Sequence, residues 1–286
     1  MSISNYINKI THGDCLDHMK NFEDNSIDLI ITSPPYDNLR TYKGYSFEFK
    51  EIAKQLYRVT KEGGVLVWVV GDATINGSET GTSFQQALYL KEIGYNLHDT
   101  MIFRKKNPIP QIYRKRYTNE FEYMFVLSKG TVKTHNSLMT DCLHAGLELS
   151  TTTYKNYSKS DQVRKKLANP VKDKKIKGNI WEYVVGKNKE DQDAKHHPAP
   201  FPCKLAEDHI SSWSNEGDVV FDPMCGSGTV CKMAKLLNRK YIGIDISSDY
   251  CELAQSRLSD TQASDNKAKT LASKSSIVIA NQQLLL

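Results

Sequence analysis

The feature of this sequence that most constrains its fold is an alternation of apolar, strand-like segments with amphipathic, helix-like segments. Residues 27–32 and 65–70 are largely apolar runs, as in strands that are buried on both faces of a sheet. Between them, residues 46–60 carry apolar side chains at helical spacing. The pattern returns near the C-terminus, with strands predicted at residues 218–221 and 241–246. This alternation predicts an α/β fold with a doubly wound, mostly parallel sheet.

The other segments with regular spacing extend the same pattern. Gly94 follows one of them in the position of a helix C-cap. Further strands are predicted at residues 97–103 and 121–127, and further helices at residues 82–93, 201–213, 229–237 and 247–258.

The middle of the chain interrupts this alternation. From residue 129 to about residue 180, Ser, Thr, Asn and Lys dominate and the apolar periodicity is lost. We therefore expect residues 1–128 and 181–258 to be the two halves of one α/β core, separated by an insertion at residues 129–180. Residues 259–286 are rich in Ser, Ala, Lys and Gln and are predicted to be a flexible C-terminal tail.

Positive charge is concentrated in and around this insertion. Residues 104–190 hold 19 Lys and Arg against 8 Asp and Glu, a net charge of +11, whereas the rest of the chain carries −6. A basic region between acidic flanks favours binding to a polyanion such as nucleic acid. A solvated lysine-rich surface explains the charge equally well, so charge alone leaves both interpretations open.

Composition argues against several other classes of protein. With 39% hydrophobic and 25% charged residues, the chain can bury a sizeable core, so we do not expect it to be wholly disordered. No apolar stretch is long enough for a membrane span, and the N-terminus lacks the apolar segment of a secretory signal. The six cysteines form no Cys-x-x-Cys pair, which predicts reduced thiols and no metal site. We therefore expect a cytoplasmic protein.

The strongest chemical motif is a glycine loop at residues 221–229, which joins a predicted strand to a predicted helix. Gly226 and Gly228 allow a tight turn, and the helix beyond them presents free N–H groups to an anionic ligand group. Asp222 ends the strand and can receive a cationic group, while Asp245 ends the next strand and is suited to ribose hydroxyls. The loop lacks the Gly-Lys-Ser/Thr of a phosphate-binding P-loop. A nucleoside that carries both an ammonium and a carboxylate group satisfies this pattern.

A second motif, Thr32-Ser33-Pro34-Pro35-Tyr36, directly follows the first buried strand. The two prolines fix the backbone, so that the Ser33 hydroxyl and the Pro34 carbonyl can accept hydrogen bonds from an exocyclic amino group. The ring of Tyr36 can stack on a base. A Pro-Pro turn alone is more often structural, and its pairing with the glycine loop is what favours a catalytic role.

Together these motifs resemble those of S-adenosylmethionine-dependent DNA amino-methyltransferases of the N4-cytosine/N6-adenine type. Ser33-Pro34-Pro35-Tyr36 resembles the catalytic motif of that family, and residues 222–229 resemble its cofactor loop. The catalytic motif comes first and the basic insertion lies between the two, as in the beta group of these enzymes. The resemblance covers about residues 13–258 and implies a Rossmann-like class I methyltransferase fold. It makes residues 1–128 the catalytic half, the insertion the target recognition region, and residues 181–258 the cofactor-binding half.

The resemblance also implies individual roles. Methyl transfer is expected at Ser33, Pro34, Pro35 and Tyr36. S-adenosylmethionine is expected to bind at Asp14, Phe201, Asp222, Pro223, Cys225, Gly226, Ser227, Gly228, Thr229 and Asp245. Candidate DNA contacts, chosen for their charge and position, are Arg40, Lys105, Lys106, Arg114, Lys115 and Arg116. For each of these cations alone, a solvated surface position is at least as compatible with the sequence.

The implied reaction transfers the sulfonium methyl group to the exocyclic amino group of a base flipped out of duplex DNA, without a covalent enzyme intermediate. Ser33 favours cytosine N4, because in this family Asp or Asn at that position more often accompanies adenine. Adenine N6 is the close alternative, and Asp37 departs from the Asn that many members carry after the tyrosine. An RNA methyltransferase and a non-catalytic nucleic-acid-binding protein of the same fold are more distant alternatives.

The partners implied by this interpretation are double-stranded DNA, a second copy of the chain in a homodimer, and a cognate restriction endonuclease of the same restriction-modification system. No membrane partner is expected, and the family implies a prokaryotic or phage origin.

Overall fold

The computed structural model describes residues 2–35, 47–110, 115–146, 150–154, 162–166, 171–186 and 201–260. Its helices are α1 (Cys15–Met19), α2 (Phe49–Val59), α3 (Thr82–Glu92), α4 (Cys203–Trp213), α5 (Thr229–Leu236) and α6 (Ser248–Asp260). Its strands are β1 (Lys9–His12), β2 (Ile27–Thr32), β3 (Thr60–Val70), β4 (Thr74–Ile75), β5 (Ser78–Glu79), β6 (Asn96–Lys105), β7 (Phe121–Ser128), β8 (Met139–Asp141), β9 (Ser150–Tyr154), β10 (Gln162–Lys166), β11 (Lys174–Ile176), β12 (Ile180–Tyr183), β13 (Val219–Asp222) and β14 (Lys240–Asp245).

Eight strands form the central sheet, in the order β1-β14-β13-β2-β3-β7-β6-β12. Among these strands β7 is antiparallel to its neighbours β3 and β6, and all other pairs are parallel. Helices α1, α2 and α3 pack in one series and α4, α5 and α6 in another, so that both faces of the sheet are covered. The predicted fold class, a doubly wound and mostly parallel sheet, is confirmed.

The core forms where the sequence is most continuously apolar. Every residue of β3 from Gly63 to Val70 is buried, as expected for a strand covered on both faces. Trp68, near the end of β3, is fully buried, and its indole Nε1–H donates a 2.8 Å hydrogen bond to the Gln86 side chain of α3. Ile52 and Leu56 of α2, one helical turn apart, contribute to the same cluster.

Two elements near the N-terminus are absent from the predictions. Strand β1 has only four residues and a mixed polar sequence, and α1 has only five, so neither produces a measurable period. The sheet nevertheless supplies β1 with a partner, since it lies parallel to β14 with His12 opposite Asp245.

The middle of the chain contains a compact unit of its own, residues 137–178. Within it, β8 pairs with β11 and β9 pairs with β10, both antiparallel. All three residues of β11 are exposed, which explains why no alternating apolar pattern marks this strand. Residues 129–136 belong instead with the main unit, where Asn136 donates hydrogen bonds to the backbone oxygens of Ser211 and Ser214 at the end of α4.

The order of strands creates a topological switch point between β13 and β2. From β13 the chain passes through α5 to β14 on one side, whereas from β2 it passes through α2 to β3 on the other side. In open parallel sheets, ligands bind beyond the carboxyl ends of the strands at such a point. The described helices reach at most 13 residues, in α6, and none of them could cross a membrane.

Candidate active site

The two motifs singled out in the sequence meet at the switch point. In the sheet β13 lies beside β2, with Phe221 opposite Ile30, so both strands end at the same edge. Asp222 is the last residue of β13, and Ser33 directly follows the last residue of β2. Neighbouring strands are about 5 Å apart, so the two motifs lie side by side at this edge although 189 positions separate these two residues.

Three acidic residues extend this edge away from Ser33, each at or just after the end of one of the next three strands. The sheet order β1-β14-β13-β2 places Asp14, Asp245, Asp222 and Ser33 in that sequence along the edge. Asp14 is the exposed N-cap of α1 and accepts a 2.8 Å hydrogen bond from the Leu16 N–H. The N–H of Gly13 donates to the backbone oxygen of Asp245 at 2.9 Å, which joins the first two members of the row.

Asp222 lies in an environment that disfavours its charge. Its side chain is 5% exposed, and one carboxyl oxygen accepts a 3.2 Å hydrogen bond from the Met224 N–H. Burial raises the pKa of Asp222 to about 7, an increase that the side chain of Thr32 and the N–H of Met224 oppose and the nearby Asp245 adds to. A cationic ligand group beside this carboxyl would favour its ionised form.

Asp245 ties the glycine loop to the next strand. One carboxylate oxygen accepts a 2.7 Å hydrogen bond from the Gly226 N–H, and the other accepts a 2.9 Å hydrogen bond from the Ser247 N–H. Burial raises the pKa of Asp245, while these two N–H donors and His12 lower it. A carboxylate oxygen accepts more than one hydrogen bond, so both oxygens retain capacity for ligand hydroxyls.

Backbone geometry, more than side chains, shapes the glycine loop. Gly228 has a φ of +75° and serves as the N-cap of α5, and its N–H donates to the Cys225 oxygen at 2.7 Å. A Cβ atom on Gly228 would lie 2.7 Å from the Cβ of Ala254 in α6, so this position has space for glycine alone. The loop therefore packs against α6, and the N–H groups at the start of α5 are those for which a helix itself supplies no partner.

Four of the remaining predicted cofactor residues lie in this loop, and Phe201 lies before α4. Pro223, Cys225, Ser227 and Thr229 are buried, and the Ser227 and Thr229 hydroxyls accept hydrogen bonds from Arg257. The neighbouring thiol of Cys231 and burial raise the pKa of Cys225 well above its usual value, which argues against a reactive thiolate. Phe201 is half-buried and directly precedes Pro202, the N-cap of α4.

The predicted catalytic turn is only partly described. Pro34 is buried, and Ser33 and Pro35 are half-buried. Tyr36 lies outside the described residues, as do Arg40 and Arg114 among the predicted DNA contacts.

The four described cations proposed to contact DNA fall into two kinds. Lys105 forms a 2.7 Å ion pair with Glu122 in which both side chains are largely covered. Arg116 pairs with Glu79 at 3.3 Å and donates to the Gly77 carbonyl in the β4–β5 hairpin. Lys106 and Lys115 are exposed, and no ion pair is found for either among the described residues. Charge counting in the sequence treats all four alike.

Arg257 contacts the glycine loop, and the sequence motifs do not predict this contact. It belongs to α6 and is 2% exposed. Amphipathic periodicity assigns a charged residue to the solvent face, so only the position of Arg257 three residues after the apolar Ala254 could have indicated burial.

The site suits a nucleoside with charged amino-acid groups. It combines the edge of acidic residues, the glycine loop and the switch point. The loop supplies backbone donors, Asp245 supplies acceptors, and the buried carboxyl of Asp222 accepts from neutral groups within the described part of the chain. S-adenosylmethionine has these groups, and the described residues therefore fit it. The fold and the site define the class of S-adenosylmethionine-dependent methyltransferases.

Comparison with known proteins identifies the family. A family model described as DNA methylase, of the N6/N4 type, matches residues 27–256. The orphan methyltransferase M.BamHII of Bacillus amyloliquefaciens is 55% identical over 243 residues, which cover 84% of this chain and 91% of that protein. The type II methyltransferase M.HinfI of Haemophilus influenzae is 27% identical over 302 residues, covering 95% and 74% of the two chains. This chain belongs to the N6/N4 DNA methylase family, and it is an S-adenosylmethionine-dependent DNA methyltransferase.

Solved structures share the fold at lower identity. The PvuII DNA methyltransferase, described as cytosine-N4-specific, aligns with a TM-score of 0.65 and 20% identity over 91% of this chain and 89% of its own. The M1.HpyAVI–SAM complex aligns with a TM-score of 0.57 and 23% identity over 90% of this chain and 100% of its own.

Proposed function

We propose that this enzyme methylates the N4 amino group of cytosine in a specific duplex DNA sequence, with Ser33, Pro34, Pro35 and Tyr36 as the transfer centre. The observation that carries the proposal is the adjacency of β2 and β13 at the switch point. A base held at Ser33 and a methyl donor held at Asp222 then share one cleft, as transfer between two bound groups requires.

The cofactor half of the cleft would hold S-adenosylmethionine through the row of acids and the glycine loop. Asp222 would pair with the ammonium group, Asp245 and Asp14 would lie on the nucleoside side, and backbone N–H groups at the start of α5 would face the carboxylate. When bound, S-adenosylmethionine supplies a methyl group on a sulfonium that is already activated. Phe201, at the start of α4, would pack against its apolar part.

The catalytic turn has to improve a poor nucleophile. The lone pair of the exocyclic amine is conjugated into the ring of the base, so the amine attacks weakly. The Ser33 hydroxyl and the Pro34 carbonyl would accept its two hydrogens, which favours a more tetrahedral nitrogen and frees the lone pair. The Ser33 side chain is half-buried, so the acceptor is partly shielded from water while it can still meet a flipped base. Tyr36 would stack on that base.

The choice of cytosine rests on Ser33. A hydroxyl acceptor is compatible with the cytosine amine, whereas enzymes of this family that act on adenine more often carry Asp or Asn there. The PvuII enzyme, a solved structure with the same fold, is described as cytosine-N4-specific, which supports the proposal. Adenine N6 is the alternative product.

DNA binding would rest on the two exposed lysines more than on the two paired cations. Lys106 and Lys115 can each neutralise a phosphate, whereas Lys105 and Arg116 already meet Glu122 and Glu79. The basic unit at residues 137–178 would take part in target recognition, as the insertion does in the beta group.

The expected biological setting is the cytoplasm of a prokaryotic or phage-infected cell, where the substrate DNA lies. The relative at 55% identity is named an orphan methyltransferase, and other relatives are named type II methyltransferases. A cognate endonuclease and a homodimer stay predictions, which co-purification and light scattering of the native protein would test.

The function is tested by asking which nucleoside receives the label. Purified protein is incubated with mixed-sequence duplex DNA and methyl-labelled S-adenosylmethionine, and the DNA is digested to nucleosides for mass spectrometry. The proposal predicts labelled N4-methylcytosine. Labelled N6-methyladenine would overturn the choice of base, and an Asp222→Ala variant serves as the control for carried-over activity.

A further inference from the structure

The guanidinium of Arg257, in α6, contacts the buried part of the glycine loop. Its Nη1 donates to the backbone oxygen of Ser227, to the Ser227 Oγ at 2.8 Å and to the Thr229 Oγ1 at 3.2 Å. Three acceptors within two loop residues thus converge on one nitrogen. The side chain is 2% exposed, so these contacts are formed away from bulk water.

A buried charge at this position needs an explanation. Removing a guanidinium from water is costly even when it is hydrogen-bonded, and an apolar side chain of similar volume often stabilises a helix interface as well or better. Helices α5 and α6 pack together here, so Met or Leu would serve for packing alone. The acceptors of its described hydrogen bonds all belong to Ser227 and Thr229, so the contacts point to a role in holding the loop.

The contacts of Arg257 fix the orientation of one peptide group. The peptide between Ser227 and Gly228 is trans, so its carbonyl and its N–H point in opposite directions. Arg257 holds the Ser227 carbonyl toward α6, and on the other side the Gly228 N–H closes the turn onto the Cys225 oxygen at 2.7 Å. One turn earlier on α6, Ala254 blocks any side chain at position 228. Helix α6 thus restricts the loop conformation at two points, through Arg257 and Ala254.

From these contacts we infer that Arg257 is a positioning residue for the methyl donor. It sets the conformation of residues 225–229 in which the backbone N–H groups at the start of α5 can receive S-adenosylmethionine, without touching the cofactor itself. The inference rests on the proposed cofactor site. It extends that site to α6, a helix to which no cofactor residue was assigned.

If Arg257 only held α5 and α6 together, a change at another contact between these helices would have the same effect as a change at Arg257. The chain offers such a contact as a matched control. Lys235 of α5 donates a 2.8 Å hydrogen bond from Nζ to the Leu258 oxygen of α6. It therefore joins the same two helices as Arg257, one residue further along α6, but contacts none of the loop residues in the described structure. Loss of Lys235 removes this hydrogen bond between the helices and should leave the loop bonds in place.

The experiment compares Arg257→Lys with Lys235→Met in the full chain. Calorimetry gives the dissociation constant of S-adenosylmethionine, thermal melting gives stability, and steady-state kinetics separate KM for S-adenosylmethionine from kcat. We expect Arg257→Lys to weaken cofactor binding at least tenfold and to raise KM, with kcat at saturating cofactor within threefold of the parent. Lys235→Met, which loses a hydrogen bond between the same two helices, should change the dissociation constant less than twofold.

Thr229→Val and Ser227→Ala provide the test if Arg257 variants do not fold. Each removes one acceptor and keeps the arginine. Both hydroxyls are buried and bonded to Arg257, so each variant should weaken cofactor binding severalfold through the loop. Parental affinity in Arg257→Lys, or in both acceptor variants, would overturn the inference, as would equal losses of affinity in Lys235→Met. If the parent chain itself fails to bind S-adenosylmethionine, it is the proposed cofactor site that is wrong.

Discussion

The carboxylate of Asp245 accepts a 2.7 Å hydrogen bond from the backbone N–H of Gly226, so the acid that ends β14 holds the glycine loop that follows β13. Its second oxygen accepts from the Ser247 N–H at 2.9 Å, at the start of α6. One side chain thus joins both loops around the proposed cofactor.

Replacement of Asp245 by Asn should weaken both the hold on the two loops and the binding of the cofactor. The amide offers one acceptor oxygen, so one of the two N–H donors loses its partner, at a typical cost of about 1–3 kcal/mol for a buried donor. We expect a lower melting temperature and at least tenfold weaker binding of S-adenosylmethionine by calorimetry. Asp14→Asn is the control, since Asn caps a helix as well as Asp does, and its effect on stability should be small. Unchanged affinity in Asp245→Asn would contradict the assigned role.

Cofactor binding should depend on pH through Asp222. Its pKa of about 7 in the folded protein lies above the ordinary value of 3.8, so the carboxyl is protonated at pH 5 and ionised at pH 8. Pairing with an ammonium group lowers that pKa, so binding releases a proton, and affinity should rise by up to about tenfold per pH unit between pH 5 and 7. Calorimetry in buffers of different ionisation enthalpy measures the released proton, and Asp222→Asn should abolish it. A flat affinity over this range in the parent would show that no cation meets Asp222.

The same pKa predicts how stability depends on pH. Because the folded-state pKa is raised, the stability that this group contributes is fully present below about pH 4 and is lost as the pH rises through 7. Asp222→Asn should therefore gain stability relative to the parent between pH 5 and 8 in urea unfolding.

Gly228→Ala should damage the glycine loop more than the backbone strain of a side chain at positive φ alone can explain. At φ +75° any side chain costs about 1–2 kcal/mol, and a Cβ would also lie 2.7 Å from that of Ala254. Gly77→Ala is a matched control, because Gly77 has a φ of +82° and nothing lies within 4 Å of the added Cβ. Both variants should lose stability, but only Gly228→Ala should weaken S-adenosylmethionine binding at least tenfold. Similar cofactor affinities in the two variants would argue against a packed loop.

The two exposed lysines and the two ion-paired cations should respond differently to charge removal. Changing Lys106 and Lys115 to Gln should lower DNA affinity and reduce the slope of log Kd against log salt by about 0.9 for each phosphate that the protein no longer neutralises. Changing Lys105 and Arg116 to Gln should leave that slope near the parental value, because their charges are already balanced by Glu122 and Glu79. Fluorescence anisotropy over a salt series measures both slopes. Equal slopes in the two double variants would contradict this division.

Much of the fold could be predicted because its central strands are continuous apolar runs. The limits of β2 agree with the prediction at both ends, since the Pro-Pro turn after Thr32 stops the strand. β3 begins five residues earlier than predicted, at Thr60, because strand pairing with β2 extends a segment whose first residues are polar or glycine. Local propensity carries no information on such pairing.

The row of Asp14, Asp245, Asp222 and Ser33 could not be predicted as a row. Both motifs are visible in the sequence, but their spatial order depends on β14 lying between β1 and β13, and β1 has no sequence signal. The ion pairs of Lys105 and Arg116 leave no signal in the sequence, and the burial of Arg257 leaves only its spacing from Ala254. In each case a charged residue has a tertiary partner, while pattern analysis assigns charge to solvent.

Single-turnover methyl transfer by Ser33→Ala tests the central claim most directly. The control is Ser26→Ala, which removes a hydroxyl directly before the opposite end of the same strand, where it bonds the Glu23 backbone oxygen. With the four-residue turn as the transfer centre, Ser33→Ala should transfer the methyl group at least tenfold more slowly, while its dissociation constants for DNA and S-adenosylmethionine stay within twofold of the parent. Ser26→Ala should transfer at the parental rate. A parental rate in Ser33→Ala would contradict the account, because the turn at the end of β2 would then be structural only.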